Sequence, residues 1–144
     1  MRAFRLSYLF LAPLVLGLCA LTGCGGSSKP VTVTGVIKLP TTIKLVDTDS
    51  INLVFVPVEP GGATASANCN AKDGSFTASV PPGKYKITLN IVPYAGMPDS
   101  QKRHREMENF LQKFDEHTTP LNVEIGTEST QTITIDMEKK TVTK

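Results

Sequence analysis

The chain has 144 residues, 40% of them apolar, with only 6% aromatic, no tryptophan and three cysteines. Fifteen basic residues against thirteen acidic ones give a formal charge of +2, a balance that excludes a protein gripping nucleic acid or an anionic surface through net charge.

In chain order, Arg2 and Arg5 open the sequence without an acidic neighbour, and Leu6 to Leu21 follow without a charge. That run of roughly 16 residues is short for a spanning helix, which needs about 20. It ends in Leu21-Thr22-Gly23-Cys24, with no A-x-A-like secretory site. The order of basic start, apolar stretch and small residues before a cysteine resembles the lipobox of a bacterial lipoprotein signal peptide, residues 1–23. The resemblance implies that Leu21, Thr22 and Gly23 are read by the signal peptidase and that Cys24 is the lipid attachment residue, carrying diacylglycerol with palmitate-type chains. Two acyl chains turn marginal binding into stable anchoring, at about 0.8 kcal/mol per buried CH₂. Gly25 stands where an Asp would favour inner-membrane retention, so the expected location is a bacterial cell envelope, lipid-anchored, with the outer membrane favoured.

Processing leaves thirteen basic and thirteen acidic residues, a neutral mature chain. Cys19 leaves with the signal and Cys24 takes lipid, so Cys69 stands alone and no disulfide staples the fold. Residues 24–30 read as a lipidated Gly/Ser tether, and 31–138 as one β domain followed by a tail, 139–144.

Within the domain the dominant period is two. Val31, Val33, Ile37 and Leu39 alternate with polar residues, with Gly35 marking a bulge or a close approach. Ile51 to Val58 is apolar at nearly every position, as in a strand covered on both faces. Ala63, Ala65, Ala67, Cys69 and Ala71 share one parity. Asp73-Gly74 supplies a hairpin turn through positive φ angles, and Phe76, Ala78 and Val80 follow on one face. Pro81-Pro82-Gly83 ends that strand. Tyr85, Ile87, Leu89 and Ile91 make the cleanest alternation, and short strands around Val123 and Ile133 close the pattern. This predicts an all-β, seven-stranded antiparallel β-sandwich.

One segment, about 99–117, changes period. Met107, Phe110, Leu111 and Phe114 fall at i, i+3, i+4 and i+7, so an inserted amphipathic helix is expected, with Asp99 or Ser100 as N-cap and Pro120 beyond its end. A stripe at this spacing reads as core, capping an end or an open edge of the sheets. The alternative is a docking helix that presents the stripe to a partner.

Asp73-Gly74-Ser75-Phe76 followed by Val80-Pro81-Pro82-Gly83-Lys84-Tyr85-Lys86-Ile87 resembles the D-G-x-F … V-P-P-G-x-Y-x-I segment of carboxypeptidase-regulatory-like domains. The opening Val33-Thr34-Gly35-Val36-Ile37 and the segment Ile51 to Pro57 resemble the first and second strands of the same family, and Thr119 to Ile125 is similar to small lipoproteins of this type, numerous in planctomycete-like bacteria, which carry a similar helical insertion. The resemblance implies a transthyretin-like (prealbumin-like) sandwich in the envelope and no activity, because such domains are accessory.

No catalytic constellation is expected. There is no G-x-S-x-G turn, and both histidines lie in the polar insertion. His104 and Glu108 share a helix face, with Asp115 and His117 nearby, but they read as a solvated face, so no metal and no cofactor are expected. Asp47-Thr48-Asp49-Ser50 begins like a calcium loop, yet Ile51 occupies a ligand position and no glycine follows, so a turn is expected. Lys38 and Asp136, candidates for an isopeptide bond, carry the outward parity of their strands. Cys69 groups with the inward alanines, as a buried inert thiol. The expectation is a non-enzymatic, membrane-anchored envelope lipoprotein with a structural or protein-binding domain. Its partners are the membrane, through the lipid, and an unknown protein engaged through Tyr94-Ala95-Gly96-Met97 and the helix. The alternative is a carbohydrate- or ligand-binding surface module, or an accessory subunit of an envelope complex, but the sugar reading lacks aromatics.

Overall fold

The structure, a computed structural model, describes residues 29–144. The expected signal, Leu21-Thr22-Gly23, Cys24 and the tether up to residue 28 lie outside the described residues.

Alternation becomes strand at β1 (Val31–Lys38), β2 (Ser50–Pro57), β3 (Ala65–Cys69), β4 (Ser75–Val80), β5 (Gly83–Val92), β6 (Asn122–Ile125) and β7 (Thr130–Asp136), and β8 (Thr141–Thr143) follows in the C-terminal stretch. The strands form a single sheet in the order β6-β5-β2-β3-β4-β1-β7-β8. Its end strands β6 and β8 bring Cα atoms within 8 Å of each other, so the sheet nearly closes into a barrel.

This corrects the expected seven-stranded antiparallel sandwich: the fold is all-β, but eight-stranded, mixed and continuous. β1 runs parallel to β7, from Thr32 beside Thr130 to Lys38 beside Asp136. Period two cannot reveal this, because side chains alternate identically in parallel and antiparallel ladders. β8 is too short for its own pattern to show, and it is defined by pairing with Thr134–Asp136 of β7. The halves of the sheet join at β3 and β4 through one ladder pair, Cys69 with Phe76.

The inward parity is the one the sequence carries. Val31, Val33, Ile51, Leu53, Phe55, Ile87, Ile91, Ile125, Ile133 and Ile135 are buried in one core cluster that spans both halves of the sheet. Burying each such side chain contributes roughly 1.5–3 kcal/mol. Phe55 anchors it, edge-on to Tyr85 at 6.1 Å and tilted to Phe76 at 6.4 Å. The Tyr85 hydroxyl donates to the Pro81 carbonyl at 2.8 Å, tying the Pro-Pro-Gly turn to the strand after it. Every buried side-chain polar atom among the described residues has a partner.

Two glycines lie against backbone carbonyl oxygens. A Cβ on Gly35 would lie 2.2 Å from the Ile133 carbonyl oxygen and 2.8 Å from the Phe76 ring, so this position is a close approach of β1 to β7. Gly74 has φ +70, and a Cβ there would meet the Ile37 carbonyl oxygen at 2.3 Å. The Asp-Gly turn is therefore built differently from expectation. Only Gly74 takes positive φ, while the Asp73 carboxylate accepts the Ser75 N–H at 2.8 Å.

The inserted helix forms as α1 (Ser100–Leu111), continued by a 3-10 turn at Gln112–Phe114. Asp99 occupies the N-cap position without a side-chain capping bond. Met107 and Phe114 are buried, Phe110 and Leu111 partly so, and the Phe110 and Phe114 rings lie 5.1 Å apart. The helix packs on β5, whose ladder with β6 stops at Lys86. It thus covers the part of the β5 edge that no strand pairs, a protection that exposed edges need.

Candidate functional site

Register defines two ends of the domain. Val31 lies beside Val80, just before β5 begins at Gly83, whereas Ser50 lies beside Val92 at the other end of β5. The Val31 end and the far end are thus separated by the ten residues of β5, about 30 Å of strand. The loop expected to meet a partner, Tyr94 to Met97, is at the far end, with Val92 and Tyr94 about half exposed and Met97 also exposed.

Asp49 organises that far end. Its side chain is 0% exposed and is paired with Arg103 of α1, itself 16% exposed. One carboxylate oxygen also accepts the Val46 N–H at 2.9 Å and the other the Tyr94 N–H at 3.0 Å. Arg103 additionally donates to the Lys44 carbonyl at 3.2 Å. A single buried carboxylate therefore joins the β1–β2 loop, the β5–α1 loop and the helix. Burial pushes the Asp49 carboxyl up, but the two backbone N–H groups and the guanidinium outweigh it and hold it below its ordinary value. The segment that begins like a calcium loop is a turn, closed by Asp49 N–H to the Val46 carbonyl at 2.9 Å. Arg103 supplies the positive charge, while Asp47 faces solvent beside Lys72 at 3.2 Å. Sequence reading missed this pair, since Asp49 and Arg103 are 54 residues apart. The available signal was an arginine on the helix face adjoining Met107.

Beside the helix runs a groove of about 690 Å³ between α1 with its 3-10 turn and the outer face of β2 and β5. Val54 and Val56, half-buried, lie along its β2 side, Leu111 along its helical side, and Glu108, Asp115 and Glu116 at its rim. The expectation that β2 is covered on both faces is met only halfway, because the helix leaves these valines partly open. Asp115 shapes the rim by ending the helical segment. Its carboxylate accepts the Thr118 N–H at 2.9 Å, the Thr118 hydroxyl at 3.0 Å and the His117 N–H at 2.8 Å. These bonds, those from Thr118 first, hold the carboxyl below its ordinary value. Next to it, the buried Thr119 hydroxyl donates to the Ile87 carbonyl at 2.7 Å, locking the return of the chain onto β5.

The remaining candidates do not converge. His104 and Glu108 both reach the groove, but His117 is exposed past the helix, and among the described residues no three His, Cys, Asp or Glu side chains gather as metal ligands. Lys38 and Asp136 are in register on neighbouring strands, where Asp136 is engaged by the Lys139 backbone N–H at 2.9 Å and its ammonium at 3.8 Å. Cys69 is buried and unpaired, and burial pushes its thiol up to about 12. Among the described residues no helix is long and apolar enough to cross a membrane. No family model matches this chain, and no curated protein or solved structure matches it either.

Proposed function

We propose that this chain is a non-enzymatic lipoprotein of the bacterial envelope, held at a membrane by acyl chains on Cys24 and offering a β domain for structural or protein-binding work. The observation that carries the reading is the run from Arg2 through Leu21-Thr22-Gly23 to Cys24, followed closely by the domain. Val31, the first buried residue of β1, comes directly after the six tether residues Gly25 to Pro30. Six residues reach at most about 20 Å, so an anchor at Cys24 keeps the domain near the bilayer. The non-enzymatic part rests on the sequence, which carries no G-x-S-x-G turn and holds both of its histidines in the polar insertion. The likeness to carboxypeptidase-regulatory-like domains belongs to the same proposal, and its V-P-P-G-x-Y segment has a physical role here in the bond from Tyr85 to Pro81. Outer-membrane sorting, from Gly25, is part of the reading as well.

The test is fractionation of cells producing the full chain or its Cys24→Ser variant, with intact-mass analysis. The expected result is a membrane-bound, diacylated protein that moves to the soluble fraction on substitution. A variant that stays in membranes, or a processed N-terminus with an unmodified thiol, refutes the anchor.

A further inference from the structure

We propose that the groove between α1 and the outer face of β2–β5 receives a cationic amphipathic segment of a partner polypeptide, an aliphatic residue flanked by lysine or arginine. The proposal rests on the protein-binding reading above and assigns it a surface and a partner chemistry. Outward positions of β5 and β3 carry Lys84, Lys86, Thr88, Asn90, Ser66 and Asn68, the usual solvated set. Val54 and Val56 break that pattern and stay half-buried at the groove, beside Leu111. An apolar floor of this size, within the range of ligand-binding clefts of about 300–1,000 Å³, accommodates inserted side chains.

Charge at the rim selects the occupant. Glu108, Asp115 and Glu116 all lie at the groove, and none has an ion-pair partner among the described residues. No lysine or arginine lines the groove: of the α1 cations, Arg103 is paired with Asp49, Lys102 lies 4.0 Å from Glu106, and Arg105 borders a different cleft with Val92, Pro93 and Ala95. Two basic groups stand close by. His104 lines one part of the groove, and Lys86 directs its ammonium to the Glu116 carbonyl at 3.4 Å. Three carboxylates against these leave the rim negative at neutral pH. An apolar floor inside a negative rim complements a segment with the opposite rim charge. The same carboxylates disfavour an anionic lipid surface.

The probe is a fluorescein-labelled, acetylated and amidated Lys-Leu-Lys-Leu-Lys peptide, with Glu-Leu-Glu-Leu-Glu as its counterpart. Each is titrated against the chain from residue 24 with Cys24→Ser, which holds the whole core described above, by fluorescence anisotropy. The lysine peptide should bind at low salt and the glutamate peptide should not. Glu108→Lys with Glu116→Lys should weaken binding by about tenfold or more, and the uncharged Val54→Asn, which removes apolar floor without adding a carboxylate, should weaken it as well, with far-UV circular dichroism unchanged. Glu128→Lys, in the exposed β6–β7 turn, should change it by less than about twofold. Equal binding of both peptides, or insensitivity to the groove substitutions, overturns the proposal. So does binding to vesicles of 70% phosphatidylcholine and 30% phosphatidylglycerol that Val54→Asn abolishes, which assigns the groove to lipid. A dimer in analytical ultracentrifugation that Val54→Asn dissolves assigns it to a second copy. These readouts are independent of Cys24, so failure of the groove and failure of the anchor are told apart.

Discussion

Replacing Arg103 with methionine keeps most of the side-chain length and removes the cation from a carboxylate with no exposure to water. Breaking one partner of a buried pair typically costs about 3–5 kcal/mol, because the remaining charge is left uncompensated. Asp49 keeps two backbone donors, Val46 and Tyr94, so the lower end, about 3 kcal/mol, is expected. The 116 described residues imply an unfolding entropy of about 0.24 kcal/mol/K, which converts that loss to a fall in Tm of about 12 °C. The assay is thermal and urea unfolding of the Cys24→Ser chain from residue 24, followed by far-UV circular dichroism. The pH dependence adds a second constraint. The folded Asp49 carboxyl lies below its unfolded value of about 3.9, so its stabilisation is fully present above that pH. It is lost as pH falls through the lower, folded value. In Arg103→Met the folded carboxyl titrates higher, so the deficit against the parent shrinks as pH falls through the variant's raised value towards the parent's lowered one. A Tm within about 2 °C of the parent at pH 7, or a deficit of constant size down to the acid limit, refutes the account of Asp49 as the junction of the far end.

Three further outcomes test the fold itself. Gly35→Ala forces a methyl against the Ile133 carbonyl and the Phe76 ring, and should cost about 1–3 kcal/mol or more in urea unfolding; an unchanged midpoint would mean that β1 and β7 are not in parallel contact there. Tyr85→Phe removes the bond to the Pro81 carbonyl and should cost about 0.5–1.5 kcal/mol, measured the same way. Cys69, with its thiol raised to about 12, should resist Ellman's reagent at pH 8 in the folded chain and react promptly in 6 M guanidinium; prompt labelling without denaturant contradicts the burial. All three use the unlipidated chain, so they are independent of the anchor.

Much of this architecture was legible because the relevant physics is local. Phe76, Ala78 and Val80, or Tyr85 to Ile91, alternate because one face of each strand is buried, and that periodicity survives without knowledge of neighbours. Met107, Phe110, Leu111 and Phe114 announce a helix for the same reason. Strand pairing is not local. The parallel contact of β1 with β7 and the near-closure of β6 on β8 depend on which edges meet, and no periodicity distinguishes those partners. The three residues of β8 are a strand only because β7 lies beside them.

The candidate surface divides in the same way. Sequence marked Glu108, Asp115 and His104 as a solvated helical face and Ile51 to Val58 as an apolar run, each correctly typed by composition. It could not place the helix on β5, beside the outer side of β2, where a groove opens that Val54 and Val56 line half-buried. Asp47-Thr48-Asp49-Ser50 is legible as a turn from its own residues, but the pairing of the buried Asp49 with Arg103 spans 54 residues.

What the sequence by itself determined is therefore the inward face of each strand, the amphipathic character of the insertion and the turn chemistry of Gly74, all consequences of backbone geometry within a few residues. The tertiary structure alone decided strand order and direction, the placing of one buried ion pair at the far end, and which valines remain open. Those depend on distances between segments that the chain brings together only on folding.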